Sequence, residues 1–391
     1  MIHRFLLSWG RLRGAMRGGE SMRIALVIRA TSGRGGMETV YKTVIRELIA
    51  QGETVKMFIL QGTADPHWLE GLPYEIIGVP GAGRLRRYYD FTVSYVRALK
   101  AFNPDTVIVS DPNIIMFTKI AAMFLKPRLP VGTWVHFPVS TLKKTALLKY
   151  ADYHFAVSQG IARELEQAAG KDGGSVHVLY NSILTREPFI PRSAAATFLF
   201  IGRLDENSKR VSDFITALSR VRGEFKAIVI GDGDDYPKLI ALSNQLQLQD
   251  RIEWRGWVYK PWEHVPPVSA LVLTSAFEAF GMVLVEAMSR GIPCLSTDCD
   301  YGPAEIIQPD ANGWLVPVGD INAIAGRLQQ IVENPERLPD SHAVQSSVAR
   351  FDTTGIIATM RGILRSEVEK KRRKNLISLW KVVIFDGEKN E

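Results

Sequence analysis

The sequence predicts an α/β protein of two doubly wound, Rossmann-like domains facing a central cleft. From Met22 onward, short β-branched runs alternate with helical stretches, as in a parallel sheet covered on both faces. A second series of the same kind begins at Thr197. Between them "YNSILTREPFIPRSAA" (Tyr180–Ala195) has two prolines and little periodicity, which reads as a linker. A chain of 391 residues accommodates two such domains more readily than one core.

"RIALVIR" (Arg23–Arg29) is a buried strand by its apolar run, and "METVYKTVIRELIAQG" (Met37–Gly52) a helix closed by glycine. Strands are expected at "TVKMFIL", "DTVIVS", "VGTWVHF" and "YHFAVS". The second series runs through "TFLFIGR" (Thr197–Arg203), "FKAIVIGDGDD", "RIEWRGWV", "ALVLTS" and "IPCLSTD". The expected divisions are a basic extension over 1–21, domains over 22–185 and 186–365, and a basic then apolar tail over 366–391. The extension reads either as a poorly ordered lead-in or as a short amphipathic anchor, because "FLLSW" is too short for a secretory signal.

Hydrophobic residues make up 46% and charged residues 23%, an ordinary globular balance. Only Cys294 and Cys299 occur, too few for a structural zinc site, so they read as packing thiols in a reducing cytosol. The formal charge is +7, yet residues 1–185 hold 23 Lys/Arg against 14 Asp/Glu while the remainder holds 25 against 27. A basic N-terminal half favours an anionic membrane surface. Nucleic acid is the poorer partner, since no zinc-finger spacing, RNP-like aromatic run or helix-turn-helix is found. No run of about 18 uncharged apolar residues is present to span a bilayer.

In open α/β sheets, ligands bind beyond the carboxyl ends of the strands, where helix N-termini offer unpaired N–H groups. Three loops fit. "RATSGRGGMETV" (Arg29–Val40) is a glycine-rich strand-to-helix turn, with Glu38 standing where a dinucleotide fingerprint would have its third glycine. "FIGRLDENSKRVSDF" (Phe200–Phe214) places Arg203 and Lys209 at the cleft mouth, two cations able to hold a diphosphate. "ALVLTS", "AFEAFG" and "MVLVEAMSRG" form a strand, a loop and a helix, with Glu278 in the loop and Glu286 just over one turn into the helix. Phe280, Gly281, Met282 and Val283 lie between these acids at the positive helix end. A phosphate on that end, with carboxylates on either side to accept sugar hydroxyl hydrogen bonds, suits a nucleotide sugar.

"EAFGMVLVE" (Glu278–Glu286) resembles the E-x7-E signature of the retaining glycosyltransferases of family 4, which have the GT-B fold. "GRLDENSK" is similar to their Arg/Lys phosphate clamp, "SGRGGMET" to their N-terminal glycine loop, and "NGWLVPVGD" to the segment that follows. The resemblance runs from Met22 to Arg365 with the motifs in order. "ADYHFAVSQGI", "RIEWRGWV" and "DCDYGPAEII" look most like the members that add α-1,6-galactose to the bacterial lipopolysaccharide core. It implies an N-terminal acceptor domain and a C-terminal nucleotide-sugar domain. Glu286 would bind the ribose of UDP and Glu278 the transferred sugar. Arg203 and Lys209 would hold the phosphates, Gly35 and Gly36 would make room for the β-phosphate, and His136 in "TWVHFPVS" would lie beside the donor sugar. One departure stands out: the family often has glycine after the clamp lysine, where this chain has Arg210.

The implied reaction moves galactose from UDP-galactose to a glucose 6-hydroxyl of the lipopolysaccharide core, at the inner face of the bacterial inner membrane. No cofactor or metal is expected, and the D-x-D strings at Asp232–Asp234 and Asp298–Asp300 read as loop ends rather than ion sites. The alternatives are another hexosyltransferase using UDP-glucose or UDP-N-acetylglucosamine, a nucleotide-dependent oxidoreductase, and a non-catalytic membrane adaptor. The interrupted glycine pattern at Glu38 argues against the oxidoreductase.

Overall fold

The computed structural model describes residues 21–33, 35–78, 83–125 and 129–387, with only the backbone at 84, 87, 88 and 374–387. The N-terminal extension apart from Ser21, Arg34 of the glycine loop, Lys126–Arg128 of "LKPR" and the last four residues of the tail lie outside the described residues.

Thirteen described strands form two all-parallel sheets. The first has the order β3-β2-β1-β4-β5-β6-β7, with β1 Arg23–Ile28, β2 Thr54–Ile59, β3 Tyr74–Ile76, β4 Thr106–Val109, β5 Val131–Val135, β6 Tyr153–Ala156 and β7 Ser175–Val178. The second has the order β10-β9-β8-β11-β12-β13, with β8 Ala196–Ile201, β9 Phe225–Ile230, β10 Ile252–Gly256, β11 Ala270–Leu273, β12 Cys294–Thr297 and β13 Gly313–Val316. Strand order reverses beside β1 in one sheet and beside β8 in the other, so the loops leaving these strands and β11 open at switch points. Both free cysteines are buried.

Six helices position the site. They are α1 (Gly36–Ala50), α2 (Gln159–Ala169), α3 (Val211–Leu218), α4 (Met282–Met288), α5 (Pro303–Ile306) and α6 (Thr353–Gly387). Helix α1 buries Tyr41, Val44, Ile45 and Leu48, spaced at i, i+3, i+4 and i+7, against the first sheet. Each such aliphatic side chain contributes about 1.5–3 kcal/mol on burial, so Val44→Asp would detach this helix.

The basic then apolar tail from 366 is the continuation of α6, which runs without a break to Gly387. It leaves the second domain and docks on the first. Arg361 and Arg365 bond the buried Glu53 carboxylate at 2.8 and 3.0 Å, and Glu367 accepts from Ser175 and His177. Those long-range ion pairs are invisible to a local pattern. The two chain crossings between domains are stitched to each other: Ile183 N donates to Phe351 O, and Thr353 N to Ile183 O, both at 3.0 Å. Across the domain boundary, Glu305 of α5 accepts from the first amides of α2, Gln159 N at 2.9 Å and Gly160 N at 3.3 Å, and from the Tyr180 hydroxyl at 3.0 Å. An acid at that helix end suits its positive pole.

Candidate active site

The loop after β11 and the loop after β8 are held together by main-chain and side-chain bonds. Ala276 N donates to Ser208 O at 2.8 Å, and Thr274 Oγ1 donates to the carbonyls of Lys209 and Arg210. That stitching brings the Lys209 ammonium onto Glu278 Oε1, and Ser275 Oγ donates to the same oxygen at 2.7 Å. Lys209 and Glu278, 69 residues apart in sequence, are therefore one ion pair.

Arg210 has φ 47° and caps α3. Glycine takes this left-handed backbone without cost, whereas a side-chain-bearing residue pays roughly 1–2 kcal/mol. This explains glycine at the matching family position. Here Asp213 holds the Arg210 guanidinium through two bonds, at 2.7 and 3.2 Å. Arg210 is thus committed to its own helix, and Lys209 is the cation of this pair that reaches the site. Arg203 is exposed, and no ion pair or hydrogen bond joins it to another described residue.

Helix α4 starts at Gly281 with φ 90°, so the chain turns into it through a conformation that glycine accepts freely. Its first two amides, at Met282 and Val283, have no intrahelical partner, whereas Leu284 N already donates to Gly281 O at 3.0 Å. Phe280 was expected to touch substrate, but its ring is buried against Tyr180 and Phe351 at 5.8 and 5.3 Å. Only its main chain faces the turn, because an apolar ring gains more from the core than from a hydrated phosphate.

Glu286 Oε2 accepts a 2.9 Å bond from Trp262 Nε1. The Arg290 guanidinium lies 4.8 Å from the Trp262 ring centre, bonds the Glu286 carbonyl at 2.8 Å and pairs with Glu187 at 3.3 Å. Burial pushes the Glu286 carboxyl above the ordinary carboxylate range, opposed by the indole bond and by Arg290. One carboxylate oxygen is thereby fixed, which aims the other.

In the first domain Glu38 gathers its own loop. Its Oε1 accepts from Gly33 N at 2.9 Å and from the Thr31 and Ser32 hydroxyls, and its Oε2 from Gly35 N at 3.1 Å. The Gly33 and Gly35 amides of this loop are thus engaged internally. A methyl at Gly35 would lie 2.8 Å from Glu38 Oε2, the movable end of that side chain. A methyl at Gly36 would meet nothing nearer than Met282 Cγ at 4.0 Å, which sets Gly36 across the cleft from the start of α4.

His136 follows β5 and is wedged between Tyr41 and Trp134, with ring centres 5.2 and 4.6 Å away. Its buried Nε2 finds no hydrogen-bond partner among the described residues. Burial pushes its pKa down to about 3, so it is neutral at physiological pH. No hydrogen bond joins it to the second-domain residues described above. Among the described residues no group of three or more His, Cys, Asp or Glu side chains is gathered as a metal site.

Sequence reading missed Trp262, Arg290, Ser275 and the sealing role of Glu38. A tryptophan beside a glycine-free turn, 24 residues before its acid, carries no local signal. The capping spacing at Glu38 was readable, since an acid at the third helical position commonly reaches back to loop amides.

Comparison with known proteins places this geometry. The model described as Glycosyltransferase Family 4 matches residues 34–187, and Glycosyl transferases group 1 matches residues 185–344. The chain is 35% identical, over 90% of its length and 100% of the relative's, to the lipopolysaccharide 1,6-galactosyltransferase of Escherichia coli (strain K12). The chain belongs to glycosyltransferase family 4. A second relative of the family 4 transferase is the lipopolysaccharide 1,6-galactosyltransferase of Salmonella typhimurium, 36% identical over 80% of this chain and 90% of that one. Among solved structures, the lipopolysaccharide outer core galactosyltransferase WaaB superposes with a TM-score of 0.77 at 32% identity, covering 88% of this chain and 100% of that chain. Anabaena Alr3699/HepE in complex with UDP-glucose has a TM-score of 0.75 at 20% identity over 88% of this chain and 100% of that one, a likeness of fold. The family 4 transferase has the GT-B arrangement of two Rossmann-like domains that its sequence predicts.

Proposed function

We propose that this glycosyltransferase moves galactose from UDP-galactose to a glucose 6-hydroxyl of a lipopolysaccharide core, with retention at the anomeric carbon. The observation that carries the reading is the bracketing of one helix start by two differently held carboxylates, Glu278 on Lys209 and Glu286 on Trp262. The identity with two lipopolysaccharide 1,6-galactosyltransferases supports the choice of donor and acceptor.

Glu286 takes the ribose hydroxyls with its free oxygen, and the diphosphate lies between the α4 amides and the Lys209 and Arg203 side chains. Gly36 leaves space for the β-phosphate from the other domain, Glu278 receives hydroxyls of the galactose, and neutral His136 hydrogen-bonds the same sugar. In the reaction the bond from the anomeric carbon to the β-phosphate oxygen breaks, and its electron pair leaves with UDP. The acceptor 6-oxygen forms the new bond on the same face, and its proton passes to the departing phosphate oxygen. Cations and amides fixed in advance stabilise the charge that develops there, and alignment of the two reactants lowers the entropic part of the barrier. Because Lys209 and Arg203 neutralise the leaving group, the reading requires no metal or cofactor. It also puts the enzyme at the cytoplasmic face of the inner membrane, where a nucleotide sugar and a lipid-borne acceptor meet.

The test is incubation with UDP-galactose, UDP-glucose or UDP-N-acetylglucosamine and a truncated core oligosaccharide, followed by mass measurement and linkage analysis. The expected product carries one added galactose, α-1,6-linked, from UDP-galactose alone. A product formed from another donor, or none from any, overturns the assignment.

A further inference from the structure

One carboxylate at the domain boundary is shared by both halves of the molecule, and the proposed reaction leaves it unused. Helix α2 presents Gly160 and Glu164 on one face, four residues apart. The Tyr301 ring of the second domain lies over Gly160, where a methyl group would collide with it. From there its hydroxyl reaches about one helical turn further and donates to Glu164 Oε1 at 2.8 Å. The other oxygen, Oε2, accepts from Val139 N of the first domain at 2.5 Å. Glu305, which accepts from the Gln159 and Gly160 amides, holds the start of α2 beside this contact.

Each end of this bridge runs into the candidate site. Val139 is buried and stands three residues after His136, with only Phe137 and Pro138 between them. Proline has a fixed φ, and the Pro138 carbonyl is tied down by Thr141, whose amide and hydroxyl donate to it at 3.0 and 2.7 Å. A link that short and stiff carries the placement of Val139 to His136. On the other side, Gly302 follows Tyr301 with φ 89°, and a methyl on it would collide with the Phe280 carbonyl. Its backbone therefore packs directly on the turn that carries Glu278. The contacts run unbroken from the Glu278 turn through Gly302, Tyr301, Glu164 and Val139 to His136.

We propose that Glu164 and Tyr301 are positioning residues for the transfer: their bridge fixes the His136 loop relative to the Glu278 turn, so that side chains from two domains meet one sugar. A carboxylate suits the place because it accepts from both domains at once, whereas an amide offers a single accepting oxygen. The proposal rests on the reading that His136 and Glu278 contact the same galactose, and supplies what keeps them in register.

The test joins a double-mutant cycle to amide exchange. Tyr301→Phe keeps the ring over Gly160 and removes the bridging hydroxyl, and Glu164→Gln leaves one accepting oxygen for two donors. Each should lower kcat for transfer from UDP-galactose to a truncated core oligosaccharide by about tenfold, as for one hydrogen bond to a charged group. UDP affinity by calorimetry should hold, which also shows that the variants fold. Adding Tyr301→Phe to His136→Ala should slow transfer no further than His136→Ala alone, because the bridge acts through that histidine. Independently of turnover, Tyr301→Phe should speed hydrogen exchange in the peptide covering residues 134–141. Wild-type kcat in both bridge variants, multiplied losses in the combined variant, UDP affinity falling in step with kcat, or unchanged exchange each overturns the proposal. Wild-type kcat in His136→Ala is a different failure: it removes the sugar contact assigned to that histidine, and the purpose of the bridge with it.

Discussion

The loop after β1 and the loop after β11 occupy equivalent places in the two sheets and use their backbone in opposite ways. In the first, Glu38 turns back and holds the Gly33 and Gly35 amides, and a methyl at Gly36 would meet nothing across the cleft nearer than Met282 Cγ at 4.0 Å. In the second, the first turn of α4 holds no acid, and the two carboxylates stand to either side, tied to Lys209 and Trp262. The same strand-turn-helix topology can thus seal a helix end or leave it ready for an anion. Where the acid falls relative to the helix start decides which. The first domain shapes the cleft, and the second supplies its charge.

Replacing the second-domain charges should do the greatest damage. Lys209→Ala is expected to lower turnover by about 10²–10³-fold, in line with loss of one leaving-group donor. Arg210→Gly should stay near wild type, since Asp213 already holds that guanidinium. Comparable losses in both variants would show that the neighbouring arginine shares the phosphate. Glu278→Gln should lower turnover by about 100-fold while UDP affinity, read by calorimetry, barely moves. A matching loss of UDP binding would remove its assignment to the sugar.

Smaller effects should separate aiming from chemistry. Trp262→Phe leaves the ring stacked near Arg290 but frees Glu286 Oε2, so KM for the donor should rise about tenfold with little change in kcat. A fall confined to kcat would mean that the indole acts elsewhere. Glu38→Ala is the mirror experiment in the first domain. It should cost about 1–2 kcal/mol in urea unfolding through loss of the cap, and alter turnover less than any second-domain change above. Activity lost without stability would mean that the first loop also handles charge.

The smallest effect concerns pH. The buried histidines, His136 and His154, both lie in the first domain. Burial pushes His154 from 6.5 down to about 4, with Thr133 bonding its Nδ1 at 2.7 Å. Below pH 6.5 the unfolded chain binds a proton that the folded chain refuses until about pH 4. Stability therefore falls as pH drops through that window, by up to about 1 kcal/mol per pH unit for each such group. Urea unfolding of His154→Gln at pH 7 and pH 5 should show a shallower loss than the wild type. An unchanged slope would place the acid sensitivity elsewhere.

Much of this was legible in the sequence because parallel strands buried on both faces must be apolar throughout, as in "RIALVIR" and "ALVLTS". Three strands went unread: β3 is a three-residue, largely exposed edge, β7 is only half buried, and β13 is a four-residue run that starts at a glycine. Glu278 and Glu286 could be found because their spacing lies within one loop and helix. Their pairings could not, since Lys209, itself legible as a clamp cation, and Trp262 reach them through contacts that only the folded chain creates. Arg210 shows the reverse case, in which a residue that breaks the family pattern is explained once its backbone angle is known.

Ile183 and Asp352 stand where the polypeptide passes from one half to the other and back, and they are bonded as neighbours. Two covalent crossings fastened at one point behave as the pin of a door. The halves can swing about that pin, but they cannot slide past each other without tearing it. A rotation about that pin opens widest at the rim farthest from Ile183.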